Sequence, residues 1–97
     1  MRLRWSDHAR RDLLAIGRYI ARDKPQAARG WIEQLRKRAR QAAENPLAGR
    51  VVPELGRDDV REDFLRSYRI VYRVGEEAVD VLTVFEGHRL LPKGLIS

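Results

Sequence analysis

The chain has 97 residues, a formal net charge of +6 and no cysteine, which suits one domain over residues 1–97 and excludes disulfides and thiolate metal sites. The basic balance favours an acidic partner, such as nucleic acid, an anionic surface or an acidic protein segment, with a pure solubility role as the alternative. No apolar run is long enough to span a membrane, and no signal-peptide core follows the charged N-terminus, so we expect a cytoplasmic protein.

The first half of the chain predicts one strand and then two helices. Residues 2–5 alternate between polar and apolar, as a short strand does. Ser6 is a candidate N-cap for a helix that runs to about Arg22. Pro25 suits the first position of a second helix, which ends before Pro46. Because the link between these amphipathic helices is short, we expect an antiparallel helical hairpin.

The second half predicts an antiparallel sheet. Residues 47–59 contain glycine and proline and indicate a loop, and residues 60–65 form a weaker strand candidate. Residues 68–74 alternate cleanly, while residues 78–85 are almost continuously apolar, which is typical of a central strand. Residues 87–97 form a tail. The order is therefore β-α-α-β-β-β, an α+β fold in which the hairpin covers the apolar face of the sheet.

The strand over residues 68–74 carries arginines on one face. Its alternation puts Arg69 and Arg73 on the face opposite the tyrosines. Arginine holds phosphate with a planar, bidentate fork, so these residues and the neighbouring Arg61 and Arg66 are candidates for binding nucleic acid or another target. The more ordinary interpretation is a solvated face whose arginines pair with glutamates. Those glutamates would be Glu62, Glu76 or Glu86.

Three residues of the second half have the chemistry of an RNA-cleaving site. Glu54 would act as a base, Arg69 would stabilise the phosphate, and His88 would protonate the leaving oxygen. The ordinary interpretation is that a loop glutamate and a late histidine are surface residues. No catalytic or cofactor motif is present, and the two histidines lack the spacing of metal ligands, so we expect no cofactor and no metal.

The helical hairpin offers a different kind of surface. The second helix has a basic face, which includes Arg36 and Arg40 and is either simply solvated or a landing site for an acidic peptide. Tyr19 and Trp31 lie near the apolar stripes. They are core residues in the simpler interpretation, and they line a groove for a partner helix in the alternative.

Several short segments, spread over nearly the whole chain, are similar to one protein family. They are Trp5-Ser6, Asp12-Leu13, Gly49-Arg50, Val52-Pro53-Glu54, Arg61-Glu62, Tyr68–Val74, and Gly87 with Arg89 and Leu90. Together, and above all through the strand over residues 68–74, the sequence resembles the RelE/ParE superfamily. These are the toxins of bacterial type II toxin–antitoxin pairs, which inhibit growth and are linked to plasmid stabilisation.

The resemblance implies a helical hairpin on a twisted antiparallel sheet, and it also implies a partner. A cognate antitoxin holds such a toxin inactive with an acidic, partly disordered C-terminal segment that folds on binding, so we expect a hetero-oligomer. On the hairpin, the candidate antitoxin-binding residues are Tyr19, Trp31, Arg36 and Arg40.

The superfamily splits by activity, and the sequence has features of both branches. RelE-like members cleave mRNA in the ribosome, and Arg69 and Arg89 fall where their arginines would fall, with Glu54 and His88 completing a set. ParE-like members poison DNA gyrase and lack that set. No tyrosine follows Tyr72, the sheet lacks lysine, and the helices are long. We therefore favour the gyrase-poisoning branch over the alternatives, a ribosome-dependent mRNA endonuclease and an inactive binding module of the same fold.

Overall fold

In a computed structural model, which describes residues 1–95, the helices and strands follow the order that the sequence predicts. They are β1 (Arg2–Trp5), α1 (Asp7–Asp23), α2 (Pro25–Glu44), a 3-10 turn (Pro46–Ala48), β2 (Arg50–Val51), β3 (Val60–Leu65), β4 (Tyr68–Val74) and β5 (Ala78–Glu86). The short β2 lies within the predicted loop over residues 47–59. The predicted tail, residues 87–97, falls outside the described residues after position 95.

The strands of residues 1–95 form one sheet in the order β1-β5-β4-β3-β2. The pairs β2–β3, β3–β4 and β4–β5 are antiparallel, as predicted. β1 runs parallel to β5, so the sheet is mixed rather than wholly antiparallel. A parallel neighbour needs a long crossover, and the helical hairpin belongs to that crossover. β5 lies between β1 and β4, which confirms that it is a buried strand.

Ser6 fixes the start of α1 and ties it to the sheet. Its hydroxyl accepts a hydrogen bond from the Ala9 amide at 3.0 Å, which caps the helix. The same hydroxyl donates to the Leu82 carbonyl of β5 at 3.1 Å. The two helices are separated by Lys24 alone, whose amide donates to Ile20 at 2.8 Å before Pro25 opens α2.

The main core lies between the helices and one face of the sheet. The helices contribute buried stripes, and the sheet contributes the face that carries Ile70 and Val84. Trp31 is partly buried at the edge of this core, where its ring meets that of Tyr68 edge to face, with 5.8 Å between the ring centroids. Tyr19 is 67% exposed, so its assignment to the core is wrong. It lies on the same side of α1 as Ile16 and lines a cavity beside the sheet, but most of its side chain stays accessible to water.

The other face of the sheet is also buried, by a smaller apolar cluster. Its buried members are Val52, Val60, Val71, Leu82 and Phe85, and Leu55, Leu91 and Leu95 pack against them. The loop after β2 and the segment after β5 therefore cover much of the face that carries the arginines. The expectation of a solvated arginine face is wrong at this point, because segments distant in sequence return over it.

Candidate functional site

Arg69 lies on the face of the sheet opposite the helices, and it is only 6% exposed. Its Nη1 donates to Glu54 Oε2 at 2.9 Å, and its Nη2 donates to Glu54 Oε1 at 3.1 Å. Nη2 also donates to Glu62 Oε1 at 2.5 Å. The guanidinium group stacks on Phe85, 5.1 Å from the ring centroid. Two carboxylates and one ring thus enclose this arginine.

Glu62 is the most deeply buried charged residue in the described part of the chain, at 1% exposure. Besides Arg69, it accepts hydrogen bonds from Arg50, whose Nε lies 2.8 Å from Glu62 Oε2. Arg50 and Glu62 are direct neighbours across β2 and β3, so their ion pair links the two strands. We call the set Arg50, Glu54, Glu62, Arg69 and Phe85 the Arg69 cluster. Its two arginines and two glutamates balance in charge.

The electrostatics of the Arg69 cluster favour the charged forms of Glu54 and Arg69. Hydrogen bonds from Arg69 hold the pKa of the Glu54 carboxyl below its usual value, although burial opposes them. Burial disfavours the charge on Arg69, but the hydrogen bonds to Glu54 and Glu62 outweigh it and raise the pKa of Arg69. Arg69 Nε is buried without a hydrogen-bond partner among residues 1–95. Glu54 and Glu62 nevertheless occupy both terminal nitrogens of Arg69, so the cluster resembles a closed salt-bridge network.

The other arginines predicted to bind a target lie in different settings. Arg61 braces the loop, since its Nε donates to the Asp58 carbonyl at 2.9 Å and its Nη1 to the Gly49 carbonyl at 3.1 Å. Arg66 is exposed in the turn between β3 and β4 with φ of 52°, and its guanidinium lies 5.3 Å from the ring centroid of Trp31. Arg73 is partly buried at the far end of β4. The structure does not bring these arginines together into one patch.

His88 and Arg89 follow β5 and point to solvent. The His88 side chain is 92% exposed, and its Nε2 lies 3.6 Å from Glu86 Oε1. Among the hydrogen bonds and ion pairs of residues 1–95, none joins His88 to Glu54 or to Arg69. The structure thus brings Glu54 and Arg69 into contact and leaves His88 and Arg89 outside that contact.

Residues 1–95 contain neither a metal-binding cluster nor a membrane-spanning helix. No three histidine, aspartate or glutamate side chains within residues 1–95 are arranged to hold a metal ion. Neither α1 nor α2 combines the length and the apolar character that a membrane crossing requires.

The two helices form a groove that is also lined by Trp5 of β1. It encloses about 720 Å³, and its floor includes Leu14, Gly17 and Ile32. Four arginines edge it. They are Arg10, Arg18, Arg29 and Arg36. The groove thus combines an apolar floor with a basic rim.

Of the four residues predicted to bind an antitoxin, one lines this groove. Arg36 lines it and Arg40 is exposed further along α2, whereas Trp31 packs toward Tyr68 and Tyr19 lines a second cavity. Leu14 and Ile32 were not among the residues predicted to bind a partner. The sequence signal for this surface was Leu14. It is apolar and adjacent to Leu13, and two adjacent residues of a helix cannot both face the core.

Comparison with known proteins agrees with this fold. The model of the family described as "ParE toxin of type II toxin-antitoxin system, parDE" matches residues 3–91. Y4kP of Sinorhizobium fredii (strain NBRC 101917 / NGR234), a protein named as a candidate toxin, is 36% identical over 97 residues, which cover 97% of this chain and 96% of Y4kP. The solved "Chromosomal ParDE TA system from P. aeruginosa" shares the fold, with a TM-score of 0.76 at 20% identity, over 89% of this chain and 95% of that chain. The chain therefore belongs to the ParE toxin family of type II toxin–antitoxin systems, in which a toxin is paired with an antitoxin.

Proposed function

We propose that this chain inhibits bacterial growth by poisoning DNA gyrase in the cytoplasm, and that a cognate antitoxin neutralises it. The observation that carries the proposal is the closed state of Arg69. Both ends of its guanidinium fork are occupied by Glu54 and Glu62, and the side chain is almost inaccessible to water. This arrangement supports a toxin that acts by binding a protein.

A nuclease would need the opposite arrangement. Stabilising a phosphorane requires donors that are free to face the substrate. Here a phosphate would have to displace the Glu54 carboxylate, which binds Arg69 through both oxygens. A general acid must also lie within hydrogen-bond reach of the reacting group, and the His88 side chain points to solvent. Arg66, exposed beside Trp31, is the predicted target-binding arginine that we retain as a contact for the target.

For the antitoxin, we propose an acidic, amphipathic segment that lies in the groove between α1 and α2. The apolar floor would bury the hydrophobic stripe of the segment, and the four rim arginines would pair with its carboxylates. The net charge of +6 favours this partner at long range.

The test of the proposed target uses purified toxin and purified gyrase. We expect the toxin to block supercoiling and to increase cleaved DNA at micromolar concentration, and we expect premixing with the antitoxin to restore activity. Arg66→Gln should weaken the inhibition, while Arg2→Gln on the exposed end of β1 is the matched control. If supercoiling and cleavage are unchanged by the wild-type toxin, the gyrase proposal is wrong.

A translation reaction with toeprinting distinguishes the competing activity. Cuts at fixed codon positions that disappear in His88→Gln and Arg89→Gln would establish a ribosome-dependent nuclease, since both side chains are exposed and their loss should leave the fold intact. Induction in a bacterial host separates both activities from an inactive module, which would leave growth unaffected. Filamentation with DNA-damage signalling is the outcome that we expect.

A further inference from the structure

Arg66 occupies the two-residue turn that joins β3 to β4, and its backbone lies in the left-handed region, with φ of 52°. Glycine and asparagine adopt this region at low cost, whereas an arginine rarely does. Within residues 1–95, no other residue except glycine has a positive φ. Local backbone preference therefore does not account for an arginine in this turn, which points to a role for its side chain.

The turn places the Arg66 guanidinium over the indole ring of Trp31 on α2. The distance from Arg66 Cζ to the ring centroid is 5.3 Å, which is a cation–π contact. Trp31 is itself held in place, because it packs on the main core and meets the Tyr68 ring edge to face. One face of the guanidinium thus rests on a fixed ring. A partner that binds this arginine has less side-chain freedom to remove on binding.

The N–H groups of Arg66 remain available, since its side chain is exposed and forms no hydrogen bond or ion pair with another of residues 1–95. Neighbouring arginines are committed within the fold. Arg69 binds Glu54, and Arg38 of α2 donates to the Phe64 carbonyl at 2.7 Å. Arg66 is therefore an accessible cation that is fixed on one face and has its donors free for a partner.

The groups around Arg66 favour a protein partner over nucleic acid. Tyr68 and Tyr19 share a cavity of about 390 Å³, and Tyr19 is 67% exposed. We call Tyr19, Trp31, Arg66 and Tyr68 the aromatic–arginine patch. Tryptophan, tyrosine and arginine are the residues that dominate binding energy in protein interfaces. Glu86 is the direct neighbour of Tyr68 across β4 and β5, and its negative charge disfavours the repeated phosphates of a nucleic acid.

We propose that the aromatic–arginine patch binds an acidic side chain of the target protein. The planar fork of Arg66 donates parallel hydrogen bonds to an aspartate or glutamate carboxylate, and the exposed rings contact apolar groups beside it. Trp31 is a positioning residue, because it holds the fork without bonding the carboxylate. This inference rests on the proposed function in one respect, that the target is a protein, and it is independent of which protein that is.

The test compares variants of the full-length toxin in two assays, growth arrest at a measured toxin level in a bacterial host and inhibition of purified gyrase. Arg66→Gln should weaken both about tenfold, as expected for the loss of a charge-assisted hydrogen bond. Arg66→Lys keeps the charge but loses the planar fork, and it should weaken both about threefold. Arg2→Gln, which removes the same charge from the exposed end of β1, should leave both unaltered.

Two substitutions of Trp31 test the positioning role. Trp31→Leu should weaken growth arrest, and adding Arg66→Gln to it should cause little further loss, because both changes remove the same contact. Trp31→Phe keeps a ring beneath the guanidinium and should retain most of the activity. Urea unfolding of each variant reports stability separately. If Trp31→Leu fails to fold, the comparison of Arg66→Gln, Arg66→Lys and wild type still decides.

The inference is wrong if Arg66→Gln arrests growth as wild type does, if Arg66→Lys equals wild type, or if the wild-type chain arrests no growth. Binding of a labelled DNA duplex or RNA strand that Arg66→Gln abolishes would assign the patch to nucleic acid instead, and would also overturn it. Growth arrest that depends on Arg66, together with unaffected gyrase, would contradict the gyrase proposal alone. Gyrase inhibition that Arg66→Gln fully retains would contradict the patch alone.

Discussion

Arg69 keeps a full positive charge at a position that is nearly closed to water. Its attraction to Glu54 and Glu62 compensates for the hydration that it loses, and Phe85 adds a favourable ring contact. Such a network adds little net stability compared with a well-packed apolar core, yet it is costly to break in part. Its effect is to hold the loop after β2 against β4, because Glu54 belongs to that loop and Arg69 to that strand.

Replacing Glu62 tests the cost of breaking this network. We expect Glu62→Gln to lower the free energy of unfolding by on the order of 3 kcal/mol, at the low end for a broken buried pair because Glu54 still binds Arg69. The measurement is urea unfolding at neutral pH. Glu76→Gln, in the exposed turn before β5, is the control and should change stability by less than about 0.5 kcal/mol. Equal stability of the two variants would contradict the buried network.

Glu54 makes the stability of the protein depend on pH. Because its pKa is lower in the folded chain than its usual value, its contribution to stability is present above that usual value and is lost as pH falls through the folded pKa. We therefore expect the stability advantage of wild type over Glu54→Gln to shrink steadily from about pH 6 to about pH 3. Urea unfolding of both proteins across this range checks it. A constant difference would mean that Glu54 does not bind Arg69 in solution.

Among the elements, the junction between α2 and β2 depends on a close approach to β4. The Tyr72 hydroxyl donates to the Pro46 carbonyl at 3.2 Å and passes directly over Gly49. A Cβ at Gly49 would lie 1.9 Å from that hydroxyl oxygen and 3.1 Å from the Glu62 carbonyl. Only glycine fits between the two strands here, so this junction fixes where β2 enters the sheet.

Two glycine substitutions should therefore have opposite effects. Gly49→Ala should destabilise the protein by about 1–3 kcal/mol, because the new methyl group overfills a packed site. Gly30→Ala should stabilise it by about 0.5–1 kcal/mol, because Gly30 lies inside α2 with no atom within 4 Å of a new Cβ. Thermal and urea unfolding of both variants make the test. If Gly49→Ala proved as stable as wild type, Tyr72 would not lie over this junction.

At the scale of the whole molecule, the two signs of charge are distributed unevenly. Several carboxylates are paired within the fold, as Asp80 is with Arg4 and Glu62 with Arg50 and Arg69. Among residues 1–95, the rim of the groove between α1 and α2 carries four arginines, with Glu33 as the one acidic residue. A surplus of positive potential over one apolar groove raises the rate at which an acidic segment meets it.

We expect the association rate of the toxin and its antitoxin to fall as salt concentration rises. Arg36→Glu, at the rim of the groove, should lower that rate roughly threefold and flatten its dependence on salt. Arg2→Glu makes the same change in net charge at the edge of the sheet and serves as the control. Stopped-flow measurements at several ionic strengths check this. Equal rates for both variants would show that only the net charge matters.

The sequence by itself determined the local structure and the family. The periodicity of two in Tyr68–Val74 and the helical stripes of α1 and α2 arise from neighbours along the chain, which is why they could be predicted. The break at Pro25, the cap at Ser6 and the central position of β5 follow from residue types in the same way. The RelE/ParE resemblance, based on short segments, is confirmed by the family match.

Only the tertiary structure decided which charged and aromatic groups meet. Arg69 and Glu54 lie 15 residues apart, and Asp12 and Thr83 lie 71 residues apart, so no local pattern reports their contacts. The parallel pairing of β1 with β5, the burial of Arg69 and the exposure of Tyr19 all depend on which segments return over the sheet. The alternation of side chains along a strand sets the face on which each residue lies. What covers that face is set by long-range packing, and that packing turned a predicted arginine surface into a closed ionic cluster.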